Sequence, residues 1–332
     1  MTDPVVSVLL PARNAERTLA EALEGLFAQR GAPPFEIVCV DDGSTDATGL
    51  LLHEAARRDD RLRVVRGEGL GLVAALGLGL SHCRGRYVAR MDADDRVHPD
   101  RLGLQAALLD GDPSLGAVGS DVLIFPWPLS PGLFRLQEWL NSLRTGADLL
   151  RERFIDVPLV HPSWMLRRSA LDAVGGYQDR GWPEDWDLLL RLAAGGFTLG
   201  KVPRTLLWWR DSAGRLTRTH AAYSPDALRS LRAHHLASGP LRSRPCEIWG
   251  AGPTGKRLAR ALEAEGVRVR RFIDVSGQTE ARGAPVVGPG ALGPPTDALL
   301  VVAVGAAGAR ETIRAALGGA GWAEGTDYLC AA

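Results

Sequence analysis

From its start the chain alternates short apolar runs of strand length with patterns of helical period, and that rhythm limits the fold more than any other feature. Residues 5–10 are almost continuously apolar and end at Pro11, as expected of a strand covered on both faces. Leu19, Ala22, Leu23, Leu26 and Phe27 then recur at helical spacing and turn one apolar face to the sheet. The pattern repeats, with strands expected over 35–40, 62–65, 86–91 and 117–124 and helices over 48–58, 73–82 and 102–109. Such alternation with short connections predicts a parallel, doubly wound α/β sheet. A long amphipathic pattern over 133–154, with Leu136, Leu140, Leu143 and Leu150 near one face, predicts a helix packed on it. Further helices are expected over 168–174 and 184–194.

Near residues 237–244 Ser, Gly, Pro and Arg cluster, which marks a domain boundary. The expected division is 1–238, a linker over 239–245, and 246–332. After the boundary the rhythm restarts, with strands over 246–249, 267–273 and 298–304 and helices over 254–265 and 309–318. That is enough for a small α/β domain but only about half of a full dinucleotide-binding fold.

The 39 basic and 39 acidic residues balance, so no overall field draws the chain to nucleic acid. Cys39, Cys83, Cys246 and Cys330 are scattered without metal-ligand or redox spacing, as buried thiols in a reducing cytoplasm would be. Residues 1–4 lack the charged and apolar regions of a signal peptide. No apolar run reaches the ~18–20 residues of a spanning helix. The expected location is therefore cytoplasmic. The apolar, Pro- and Trp-rich stretch 123–133 fits either a buried or substrate-facing loop or a contact with a lipid-linked acceptor at the inner face of a membrane.

Three acidic clusters stand where strands end or helices begin, and ligands of open α/β sheets bind at the strand ends. Asp41-Asp42-Gly43-Ser44-Thr45-Asp46 follows the second strand. Its carboxylates can accept hydrogen bonds from a base or ribose, although taken alone the run also suits a turn with Asp46 as helix cap. Asp92-Ala93-Asp94-Asp95 follows the fourth strand, where two carboxylates one residue apart can share Mg²⁺ or Mn²⁺ with phosphate oxygens. Trp182-Pro183-Glu184-Asp185-Trp186-Asp187 opens a helix. Asp185 can act as a general base there, and Trp182 and Trp186 offer stacking faces for a sugar ring. Equally, Glu184 and Asp185 complement a helix N-terminus.

Together these clusters, with Val6-Ser7-Val8-Leu9-Leu10-Pro11-Ala12-Arg13-Asn14, His161-Pro162-Ser163 and Gly175-Gly176-Tyr177, resemble the family 2 glycosyltransferases of GT-A fold. The resemblance covers roughly residues 5–236. It implies a GT-A-type doubly wound sheet that binds a nucleotide-diphosphate sugar, for example a UDP-sugar, and transfers the sugar to a saccharide or lipid-linked acceptor. It further implies that Pro11, Ala12, Arg13, Asn14, Asp41, Asp42, Ser44 and Gly71 hold the nucleoside. Asp92, Ala93 and Asp94 would meet the metal–diphosphate, with His220 as a further metal ligand. Asp185, beside Glu184, would be the base of an inverting single displacement, with Trp182 near the sugar. Arg210 and Arg218 would close over the diphosphate, as arginine forks match phosphate oxygens. In one place the chain departs from the family: Gly69-Leu70-Gly71-Leu72 lacks the polar groups usual in the third loop, which leaves the base of the nucleotide open.

In the C-terminal part, Gly250, Gly252 and Gly255 form a G-x-G-x-x-G between a strand and a helix, and Asp274 ends the next strand. That spacing suits nucleotide binding or tight strand–helix packing. The segment resembles small Rossmann-like domains attached to sugar-modifying enzymes, for which regulation, homo-oligomerisation or nucleotide-sugar capture would fit. Rival functions are a non-catalytic nucleotide-sugar-binding protein and a nucleotidyltransferase, although Pro11-Ala12-Arg13-Asn14 is not the Gly-rich basic loop of the latter. An NAD-linked oxidoreductase would rest on the glycine turn alone.

Overall fold

The computed structural model describes residues 3–332, which pack into two compact units. The first runs to Leu150 and includes Pro158–Arg180 and Glu184–Arg215; the second comprises Arg151–Val157, Gly181–Pro183 and Leu216–Ala332.

The first unit is built on strands β1 (Val6–Ala12), β2 (Phe35–Asp41), β3 (Leu62–Arg66), β4 (Tyr87–Arg90), β5 (Arg96–Val97), β6 (Leu115–Phe125), β7 (Met165–Arg167) and β8 (Thr198–Arg210). Their order in the sheet is β3-β2-β1-β4-β7-β6-β8-β5. β1 to β4 are parallel, while β7 is antiparallel to both β4 and β6, so the sheet is mixed. Every residue of β1 is buried, as its almost continuously apolar sequence requires, and its polar Ser7 donates to Glu36 (2.7 Å). Helix Leu19–Phe27 buries Leu19, Ala22, Leu23 and Leu26, the face its spacing predicts.

Two features differ from the sequence pattern. The helical stretch over 133–154 is two helices, Pro131–Ser142 and Gly146–Glu152. Thr145 and Asp148 form a reciprocal cap that starts the second: Asp148 N donates to Thr145 Oγ1 (3.1 Å) and Thr145 N to Asp148 Oδ2 (3.0 Å). β8 extends through Lys201, Pro203 and Arg204, where the pairing with β6 slips between Ser120 and Asp121. Proline lacks the donor a regular ladder needs, which accounts for the irregularity there.

The second unit holds β9 (Cys246–Trp249), β10 (Val269–Ile273), β11 (Glu280–Ala281), β12 (Ala284–Val287), β13 (Leu299–Val302) and β14 (Tyr328–Cys330), ordered β11-β12-β10-β9-β13-β14. All pairs are parallel except β11 with β12. Gly255 packs so tightly that a Cβ would lie 1.8 Å from the Gly250 carbonyl oxygen, so this glycine brings helix Pro253–Ala264 onto β9. Helix Pro225–Ser238 packs on Pro253–Ala264 and belongs to the same unit, so the packing boundary precedes the composition change at 237–244. Among the described residues, no helix is long and apolar enough to cross a membrane.

Candidate active site

Parallel register aligns the exits of β1, β2 and β4: Ala12 pairs with Asp41, and Leu9 with Arg90. The turns after these strands therefore share one edge of the sheet. After β1, Asn14 adopts a left-handed backbone (φ 51°), a conformation asparagine tolerates better than most residues. Its N–H donates to Ser44 Oγ (3.0 Å), and its side-chain oxygen accepts from Thr45 N (2.8 Å). Asp41 accepts from Ser44 N (3.0 Å), and Asp46 accepts from Thr48 N (2.9 Å) at the start of the next helix.

Asp42 is turned toward the third loop. Its carboxylate accepts from the N–H groups of Gly69 (2.9 Å), Leu70 (3.1 Å) and Gly71 (2.9 Å), with Arg13 4.0 Å away. Gly69 and Gly71 both have positive φ, 73° and 97°, which lets three successive N–H groups converge on one carboxylate. Gly69 and Gly71 thus let the third loop wrap the buried Asp42 carboxylate.

Beyond β4, oxygens of Asp92, Asp94 and Asp95 lie within 4.8 Å of one another. Burial and the neighbouring Asp92 charge push the Asp94 carboxyl up to about 6. Burial, then Asp92 and Asp94, raise that of Asp95 well above the usual carboxylate range. Asp95 accepts from Arg210 N (2.7 Å) through one oxygen, while the other is buried with no hydrogen-bond partner among the described residues. Carboxylates this close resist joint ionisation, and a hard divalent cation relieves the conflict. The donor set fits Mg²⁺ or Mn²⁺, and Asp95 joins the two aspartates the sequence singles out.

Arg90 is the group the sequence reading misses. It is buried, ion-paired with Asp92, and close enough to Tyr177 and Glu184 to feel their charge. Burial opposes its positive charge, but these acidic neighbours raise its pKa. Glu184 and His161 complete the enclosure: His161 Nε2 lies 2.9 Å from the Tyr177 hydroxyl and Nδ1 lies 3.6 Å from Glu184. That geometry would permit an ion pair, yet burial and the Arg90 charge hold the His161 pKa well below its ordinary value, so the ring is neutral. An arginine just before the Asp-x-Asp run was the available signal.

Asp185 is half-buried at the start of helix Glu184–Ala194, where one of its oxygens accepts from Trp186 N (2.7 Å). Trp186 itself is 1% exposed and packs in the core, which rules out the sugar-stacking role expected for it. Arg210 is held by the protein: Nε donates to the Asp94 carbonyl (2.6 Å), Nη2 meets Glu21 (2.7 Å), and the guanidinium covers the Phe125 ring. It braces the acidic turn. Trp182, Arg218 and His220 belong to the second unit. There Trp182 lies against His234, Arg218 is exposed, and His220 accepts from Ala222 N (3.3 Å). Gly250, Gly252, Gly255 and Asp274 are also in that unit, where Asp274 accepts from Ala251 N (2.5 Å).

The sequence profile described as glycosyl transferase family 2 matches residues 7–175, half of the chain, and includes the turns after β1, β2 and β4. The chain belongs to glycosyl transferase family 2. It is a glycosyltransferase, and the similarity to family members extends past the profile. EpsE of Bacillus subtilis, a protein named provisionally as a glycosyltransferase, is 32% identical over 228 residues, covering 67% of this chain and 79% of EpsE. TarS of S. aureus (residues 1–349, in complex with UDP-GlcNAc) shares the fold with a TM-score of 0.54 at 20% identity, over 70% of this glycosyltransferase and 67% of that chain. The mannosyltransferase PcManGT of Pyrobaculum calidifontis, in complex with GDP-Man and Mn²⁺, aligns with a TM-score of 0.51 at 22% identity, over 80% and 74% of the two chains.

Proposed function

We propose that this glycosyltransferase moves a sugar from a nucleoside-diphosphate sugar to an acceptor hydroxyl, with inversion, in a divalent-cation-dependent reaction of the first unit. The observation that carries this reading is the cluster of Asp92, Asp94 and Asp95 on the same sheet edge as Asn14 and Asp41. Asn14, Ser44 and Asp41 form the rigid turn against which the nucleoside rests. Asp92 and Asp94, with Asp95 behind them, would hold Mg²⁺ or Mn²⁺, which when bound neutralises charge on the departing diphosphate. Asp185 takes the proton from the acceptor hydroxyl. As that oxygen bonds to the anomeric carbon, the bond from this carbon to the diphosphate oxygen breaks on the opposite face. Glu184, held beside His161, keeps the start of the helix fixed, and Asp185 follows it half-buried. The acceptor we propose is a saccharide or lipid-linked hydroxyl.

Known neighbours bind uridine and guanosine sugars, so the first test is a panel. Calorimetry with UDP- and GDP-sugars should give Mn²⁺-dependent binding to the wild type that Asp94→Asn loses while remaining folded. Equal Mn²⁺-dependent affinity in both proteins would contradict the assignment.

A further inference from the structure

The second unit has a cavity of its own where its strand order reverses. From β9 the chain steps to β10 and β12 on one side, then returns to β13 and β14 on the other. In parallel sheets, ligands bind at the carboxyl ends of the strands at such a switch point. A cavity of ≈ 210 Å³ lies there, lined by Ala303 just beyond β13, by Thr254 and Arg257 of helix Pro253–Ala264, and by Arg229 and Arg232 of helix Pro225–Ser238.

The charged side chains that line it, Arg229, Arg232 and Arg257, are all arginines. Arg257 is exposed and has no hydrogen-bond or ion-pair partner among the described residues. Arg232 donates to the carbonyls of Phe154 (2.9 Å) and Ile155 (2.7 Å), which orient its guanidinium. Arg229 pairs with Asp226, an exposed carboxylate. Asp274, the acid that ends the strand after the glycine turn, accepts from Ala251 N and Ser276 N and is not among the lining groups. The volume is below the ~300–1,000 Å³ of pockets that enclose drug-sized ligands, so the cavity suits a small anionic group and not a whole nucleotide sugar. Guanidinium forks match the oxygens of phosphate in shape and charge.

We propose that this cavity is a phosphate-binding site, separate from the transferase chemistry, for inorganic phosphate or the phosphomonoester of a small metabolite. The test is calorimetry on the full chain with inorganic phosphate and with ribose 5-phosphate as probes. Wild type and Asp94→Asn should both bind saturably with one site, and Arg257→Glu should bind roughly tenfold or more weakly. Arg257→Gln should fall between. Because Arg257 is exposed, both variants should keep the wild-type circular dichroism spectrum. Tighter binding of ribose 5-phosphate would identify a phosphomonoester ligand, and equal affinity the free anion. The proposal is overturned if neither probe saturates the wild type, if Arg257→Glu binds as well as wild type, or if Asp94→Asn abolishes binding.

Discussion

At the end of β4 the Arg90 guanidinium is ion-paired with Asp92, the first carboxylate of the acidic cluster, and has almost no access to water. The pair ties a core cation to a group at the ligand edge, and the same guanidinium faces Glu184 and Tyr177. Removing one partner of such a pair leaves a charge without compensation, which costs about 3–5 kcal/mol when both are enclosed. Since Asp92 is partly open, Arg90→Gln should destabilise the fold by about 3 kcal/mol, the low end of that range. Thermal melting with and without Mn²⁺ checks this, and unchanged melting would show that the pair contributes nothing.

His161 gives a pH dependence with a definite sign. Its pKa in the native state is far below its ordinary value because of burial and Arg90. Below pH ~6.5 the unfolded chain binds a proton that the native state refuses, so stability falls as pH drops, by about 1.4 kcal/mol per pH unit. His161→Gln lacks this response. The stability gap between wild type and variant should therefore narrow from pH 7.5 to pH 5.5, as read from denaturant midpoints. A gap independent of pH would mean that the ring is not held neutral.

Asp42 makes the third loop dependent on a single carboxylate. Asp42→Ala removes the acceptor for three N–H groups, each hydrogen bond to a charged group being worth about 1.5–3 kcal/mol. Amide exchange of Gly69, Leu70 and Gly71 should speed up sharply, and nucleotide-sugar affinity should drop. Unchanged exchange would show that the loop is held by other contacts.

The strand β1 was legible because it is a short, almost continuous apolar run before a turn, and the helix Leu19–Phe27 because its buried face recurs at helical spacing. The strands β5 and β7 were not, since two or three residues carry no period. The acidic turns could be found in sequence because carboxylates after strands are conspicuous. The inward turn of Asp42, the burial of Trp186 and the bracing by Arg210 could not. They depend on partners such as Gly69 and Glu21 that are distant along the chain and join only in the folded sheet. Arg90 carried a local signal in its place before Asp92, but its nearness to Glu184, 94 positions further along the chain, arises only in the folded sheet.

The most direct test of the account is the rate of sugar transfer by Asp185→Asn. The asparagine keeps the shape and the oxygen that accepts from Trp186 N, but it cannot take a proton from an acceptor hydroxyl. With a donor and acceptor identified by the panel, kcat should fall by ~10²–10⁴-fold, the usual effect of losing a general base, while Mn²⁺-dependent donor affinity is almost unchanged. Turnover near that of the wild type would contradict the mechanism and return Asp185 to a purely structural place at the helix start.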